Sequence, residues 1–276
     1  MNLYEKDQFD MQKESKKLVD SLIFEGMTSI RALLRAIKEK NPTNDRRIEK
    51  ILYNCEKLDQ RDKCLAFLSH RADEMGFALE GVTSQVIDEM ALGQSHGGII
   101  AECSARHIPS LSDASIVKDG FYCMIQGIED PYNFGYALRS LYAMGARGII
   151  LPERNWMSAA GVVARASAGA SELFEVYTAE PIDCIDLFHE QGYRVVCADL
   201  RTETVLYDAD LSLPLLLLVG GEKRGISREV LDRADLLVKV DYGREFDASL
   251  SAASASTILG YEIFRQNRKK SEGVSL

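Results

Sequence analysis

None of the six cysteines (Cys55, Cys64, Cys103, Cys123, Cys184, Cys197) stands in CxxC spacing, and the four histidines (His70, His96, His107, His189) form no HxxxH or HExxH pattern. A zinc site therefore lacks a ligand set, and no metal is expected. The cysteines fall mostly inside apolar stretches, which reads as reduced core thiols of a cytoplasmic protein rather than as disulfides. No run of about 18 apolar residues occurs, so no membrane-spanning helix is expected. The N-terminal MNLYEKDQFDMQKESKK is too polar for a secretory signal. Positive charge is also scarce: 33 Lys and Arg against 42 Asp and Glu leave a net −9. That balance works against non-specific nucleic-acid binding, whose affinity comes from neutralising phosphates. Nucleotide signatures are missing too. VGGEKRGIS has the Gly220…Gly225 spacing of a P-loop, but Ile226-Ser227 follow where Lys-Ser/Thr is required. No G-x-G-x-x-G follows a strand, so a Rossmann dinucleotide site has no support.

What is present is alternation. Hydrophobic content of 46% and charged content of 27% suit a soluble globular chain, and 276 residues suffice for two domains. A charged helix is predicted over 5–20, within an N-terminal extension 1–22. SIRALLRAIKEK (29–40) places Ile30, Leu33, Leu34 and Ile37 at helical spacing. Strands (46–54, 77–82, 97–105) then alternate with helices (61–76, 83–92), predicting a small α/β domain over 23–108. IPSLSDASIVKDG has turn residues and little apolar pattern, so 109–120 reads as a linker. From 121 to 270 strands and helices alternate again, predicting a parallel sheet with helices on both faces; 271–276 is a tail. LPLLLLVGG (213–221) is unbroken and apolar, as for a strand buried on both sides. MSAAGVVARASAGA (157–170) is helical and small, so something must pack very close to it.

Ligands of open parallel sheets gather outside the carboxyl ends of the strands. Three loops there carry the candidate chemistry: GIEDPYNFG, VGGEKRGIS and DYGREFDASLS. In the first, Asn133 and Arg139 read either as a helix cap and a salt-bridge partner or as a functional pair. Gly135 between them suggests close approach of backbone to a substrate or partner. In the second, Gly220 and Gly221 expose backbone, and Glu222 is either a structural carboxylate or a functional acid. In the third, Ser249 and Ser251 could present hydroxyls to a ligand, while Ser254 and Ser256 read better as a close helix contact.

Taken in order, NxGxxxR, GGExxGIS and the Ser-Leu loop before a C-terminal helix resemble the SpoU (TrmH-type) RNA 2′-O-ribose methyltransferases of the SPOUT superfamily. The resemblance spans roughly 121–267, and residues through SHGGIIAE resemble an L30e-like RNA-binding domain. It implies a C-terminal trefoil knot, a homodimer, S-adenosylmethionine as methyl donor, and methylation of a ribose 2′-hydroxyl in rRNA or tRNA. It implies Asn133, Arg139, Glu222, Ser249 and Ser251 as catalytic residues. Ala198, Leu200, Gly220, Gly221, Val240 and Leu250 are implied at the cofactor. Two departures stand out: Ser251 where the family usually has Asn, and Val240-Asp241-Tyr242 where it usually has Ile-Pro-Met. These leave a non-catalytic RNA-binding factor as the alternative. Arg31, Arg35, Lys38, Lys40, Arg46, Arg47 and Lys50 are expected to offset the acidic total locally, giving RNA binding that weakens with salt.

Overall fold

The computed structural model describes residues 22–59, 62–94, 96–152, 159–221 and 225–268. The helix expected over 5–20, the tail and Glu222 lie outside the described residues. The chain forms two compact units, one of residues 1–107 with 155–173 and one of residues 108–154 with 174–276.

The first unit holds a four-stranded mixed sheet in the order β1-β4-β2-β3, made of β1 (Ile23–Glu25), β2 (Ile48–Asn54), β3 (Ala78–Val82) and β4 (Ile99–Cys103). β4 runs antiparallel to β1 and β2, while β3 runs parallel to β2. Helix α1 (Gly26–Lys38) buries Ile30, Leu33 and Leu34 as its spacing predicts. Helix α2 (Lys63–Met75) is capped by the Asp62 carboxylate and ends at Gly76, whose φ of 81° suits only glycine well. Helix α3 is short (Ser84–Met90). Phe24, Ile30, Leu33, Ile51, Leu68 and Ala101 form the core.

The small-residue segment expected within the second domain belongs instead to this first unit. Helices α5 (Ala160–Ala166) and α6 (Ala170–Leu173) pack on α1 and β1, and Ala164 joins the core. The reason is steric and polar. Gly169 comes so near α1 that a Cβ there would lie 2.2 Å from the Ala32 Cβ. Glu172, almost wholly buried, accepts from Arg46 Nε (3.0 Å) and Asn44 Nδ2 (2.9 Å). Arg106 donates to the Ser171 carbonyl at 2.9 Å. Burial raises the Glu172 carboxyl, but Arg46 and Arg106 outweigh it and hold the group below its usual range. Glu25 likewise accepts from Arg165 Nη1 at 2.7 Å and from the Gly93 N–H at 3.0 Å.

The second unit holds a wholly parallel six-stranded sheet in the order β10-β8-β9-β5-β6-β7. Its strands are β5 (Phe121–Ile125), β6 (Gly148–Leu151), β7 (Glu175–Thr178), β8 (Arg194–Ala198), β9 (Leu215–Val219) and β10 (Leu236–Val238). β5 and β9 are buried at every residue, as LPLLLLVGG predicts. Helices α4 (Pro131–Ala143), α7 (Pro181–Glu190), the single turn α8 (Arg228–Leu231) and α9 (Ala252–Asn267) complete the unit. Tyr193 meets Tyr122 and Phe188 edge to face in its core, and those two rings lie tilted on each other, with centroids 4.9–5.9 Å apart throughout. From β5 the chain runs outward through β6 and β7, then returns to lay β8, β9 and β10 on the other side. That reversal at the β5–β9 pair is a topological switch point, where parallel sheets open a crevice.

Four cysteines are buried, but Cys55 is exposed and Cys64 half-buried. Among the described residues no helix is long and apolar enough to cross a membrane.

Candidate active site

The carboxyl ends of β8, β9 and β10 surround a cavity of about 420 Å³. Ala198, Leu200, Gly220, Gly221, Val240, Ser249 and Leu250 all line it, so seven of the residues singled out in the sequence converge on one space. The convergence follows from strand order. β8 and β10 are parallel neighbours, and the Asp199 N–H donates to the Val238 carbonyl at 3.0 Å, keeping their ends level. β9 lies on the far side of β8, and its last residue, Val219, accepts from the Gln126 N–H at 2.9 Å.

The glycines are required by the chain itself. A Cβ on Gly221 would lie 2.2 Å from the Gly127 carbonyl oxygen, and one on Gly220 would lie 2.6 Å from the Gly225 carbonyl carbon. The loops after β5 and β9 therefore touch backbone to backbone, which only glycine permits. The Gly225 N–H donates to the Gly221 carbonyl at 2.9 Å. Ser227 then caps α8 by accepting from Val230 N–H.

Asp199, Arg201, Lys239 and Tyr242 also line the cavity and were not singled out in the sequence. They lie one to four positions beyond the ends of β8 and β10, two strands that only the fold makes neighbours. Asp199 is nearly buried, and its two carboxylate oxygens take the Arg201 guanidinium at 2.6–3.2 Å. That hydrogen-bonded pair holds the Asp199 carboxyl below its ordinary range. The Tyr242 hydroxyl accepts the Leu250 N–H at 3.1 Å, tying the third loop to its own far end.

Asn133, Arg139 and Ser251 stand outside the lining. The cap of α4 is Asp130, whose carboxylate accepts from the N–H groups of Tyr132 and Asn133. Asn133 is thus a first-turn residue and not the cap itself. Pro131 follows the cap, where a missing N–H costs nothing. Arg139, two turns on, is exposed and makes no ion pair among the described residues. Gly135 is buried in the helix. Ser251 caps α9, accepting from the Ser254 N–H at 3.2 Å and sharing a 3.0 Å bond with its hydroxyl. Ser256 is fully buried. α9 lies against α4: the Gly260 Cβ position is 3.3 Å from Leu141 Cδ2, and Thr257 Oγ1 donates to Ser140 Oγ at 2.7 Å. The close contact of α9 with α4 is thus made by Thr257 and Gly260, while Ser254, read as part of such a contact, is exposed.

The basic set predicted to offset the acidic charge is partly used up internally. Arg46 is buried against Glu172, Lys50 pairs with Glu102 at 2.9 Å, and Arg35 pairs with Glu39 at 2.8 Å. Arg31, Lys38, Lys40 and Arg47 are exposed.

The cavity is glycine-lined and fed by three strand ends, and it gathers residues of the second and third motif loops but none of the first. The SpoU rRNA Methylase family matches residues 120–261 of the chain. This protein belongs to that family. A putative TrmH family tRNA/rRNA methyltransferase, YacO, from Bacillus subtilis (strain 168) is 30% identical over 207 residues, covering 73% of this chain and 82% of the relative. The 23S rRNA (guanosine-2′-O-)-methyltransferase RlmB of Shewanella oneidensis is 29% identical over 214 residues, covering 76% and 87%. An AdoMet-bound rRNA methyltransferase from Sinorhizobium meliloti superposes with a TM-score of 0.73 over 90% of this chain and 88% of that one. At 20% identity that likeness establishes the fold alone. In this SpoU family member the cavity lies wholly within the matched stretch, between residues 198 and 259.

Proposed function

We propose that the chain is an S-adenosylmethionine-dependent RNA methyltransferase acting on a ribose 2′-hydroxyl of rRNA or tRNA. The observation that carries the reading is the single cavity into which Ala198, Leu200, Gly220, Gly221, Val240 and Leu250 all open. Its size is that of a small-molecule site. Val219, Ile226, Val240 and Leu259 offer apolar walls for a nucleobase, and the side-chain-free Gly220 and Gly221 let a ligand lie against backbone. Asp199 supplies a carboxylate for hydroxyl or ammonium groups, its charge kept by Arg201. These residues fit S-adenosylmethionine, which when bound supplies an already activated methyl group on a sulfonium.

The protein's own task is then alignment and charge. Arg139 is permanently cationic, so it cannot readily take the hydroxyl proton. Exposed and without an ion pair among the described residues, it is suited to hold a substrate phosphate and to stabilise a developing alkoxide. Ser249 is the hydroxyl that opens into the cavity, whereas Ser251 is engaged as a helix cap. That engagement favours, as a second reading, a factor that binds RNA and transfers methyl groups slowly. The same proposal includes an L30e-like role for the first unit in RNA binding, a trefoil knot at the C-terminus, a homodimer and a cytoplasmic location.

Calorimetric titration of the full-length protein with S-adenosylmethionine is expected to show saturable binding; its absence would end the proposal. Ribose-methylation mapping of rRNA and tRNA from a deletion strain is expected to show a lost site. Cofactor binding with no lost site would leave the second reading standing.

A further inference from the structure

The loop after β10 carries an aromatic pair that the site as described does not use. Residues 243–249 are exposed throughout, and Phe246 is 62% exposed, an unusual position for a large apolar ring. Its ring packs at 6.2 Å and 55° against that of Tyr242. Tyr242 lines the cavity and is anchored through its hydroxyl to the Leu250 N–H. Phe246 does not line the cavity. The pair therefore has one ring inside the site and one immediately outside it, held by a single hydrogen bond to the loop's far end.

Charge narrows what the outer ring can meet. Asp241, Glu245 and Asp247 flank it on the loop, against Arg244 and Lys239, the latter paired with Glu203. A phosphate would be repelled there, whereas the flat face of a nucleobase carries no charge and stacks on aromatic rings whatever its identity. We infer that Phe246, braced by Tyr242, is a stacking platform for an unpaired base of the RNA substrate beside the methylation site. The inference rests on the proposed RNA methyltransferase reading and adds to it a preference for single-stranded or looped RNA at the point of reaction. Double-stranded RNA hides its base faces and could not use the ring.

The test uses the full-length protein and two fluorescein-labelled 12-nucleotide probes, oligo(A) and an abasic ribose-phosphate chain of equal charge. Fluorescence anisotropy is expected to show wild type binding oligo(A) more tightly than the abasic probe. Phe246→Ala is expected to weaken oligo(A) binding about tenfold, within the range for loss of one base–aromatic stack. Phe246→Trp should keep it. The factor should be the same at 50 mM and 300 mM salt, because stacking releases no counterions, while overall binding falls with salt in every variant. Titration with S-adenosylmethionine should be identical in wild type and Phe246→Ala. Equal affinity of the two variants for oligo(A), or no preference over the abasic probe, overturns the platform while leaving the methyltransferase reading intact. Failure of wild type to bind S-adenosylmethionine instead strikes the underlying reading. If Phe246→Ala changes the sedimentation coefficient from dimer to monomer, the ring belongs to an interface between copies and the inference is wrong.

Discussion

Arg139 and Ser251 divide the proposed chemistry between an exposed side chain and one engaged as a helix cap. Arg139 is exposed and makes no ion pair among the described residues, so its removal should leave stability alone. Arg139→Ala is expected to lower methyl transfer at least ~100-fold, as loss of a charge-stabilising donor does, with an unchanged urea midpoint. Arg139→Lys should recover little, since a point charge does not replace a planar fork. Ser251 behaves oppositely. Its hydroxyl caps α9, and Ser251→Ala should cost about 1 kcal/mol of stability, measured by urea unfolding. Ser251→Asn keeps a good cap and adds a carboxamide, so stability should hold and methyl transfer should rise; a flat rate would remove Ser251 from the catalytic set. At this scale the sequence was informative about which loops matter and less so about which atoms. Asn133 and Asp130 are both acceptable caps by residue type, and the structure's choice of Asp130 depends on where the helix begins. Asp199 and Tyr242 could have been proposed only by knowing that β8 and β10 are neighbours, a non-local fact.

Elements show where packing overrides local pattern. The loops after β5 and β9 meet at Gly127 and Gly221 with no room for a methyl group. Gly221→Ala should cost about 1–3 kcal/mol by overpacking and abolish saturable binding of S-adenosylmethionine, checked by calorimetry. β9 and α4 were legible because a five-residue apolar strand and an amphipathic helix announce themselves. β1 was missed: three residues are too few to show a period. The small residues of α5 and α6 signalled tight packing but not its object, because Thr28–Ala32 lie more than a hundred residues upstream. The Glu172–Arg46–Arg106 cluster fastens that packing. Glu172→Gln leaves two buried guanidinium groups uncompensated and should cost about 3–5 kcal/mol. The folded-state carboxyl of Glu172 is lowered from 4.5. Its stabilisation is therefore complete above pH 4.5 and is lost as pH falls through the depressed value. Wild type should lose this increment on acidification, and Glu172→Gln should show no such loss, measured by circular dichroism at graded pH.

On the scale of the whole molecule, the two units are not two consecutive lengths of chain. Residues 109–120, read from composition as a linker, are counted in the second unit, and residues 155–173 rejoin the first unit after two strands of the second have been laid down. Composition cannot show such a return, because nothing in a local window records where a helix docks. A fragment ending at residue 107 lacks α5, α6 and the carboxylate of Glu172. It should show no cooperative urea transition by circular dichroism, although it contains all four strands of its sheet.

That discontinuity sets an order on synthesis. Domains normally fold as they leave the ribosome, the first before the second. Here the N-terminal unit must wait for the carboxylate that opposes Arg46 and Arg106 until Glu172 has emerged and the β5–α4–β6 stretch has passed through the exit tunnel. The nascent first half is thus an open clamp for a long interval, and a pause placed before residue 173 would prolong its exposure to chaperones and proteases.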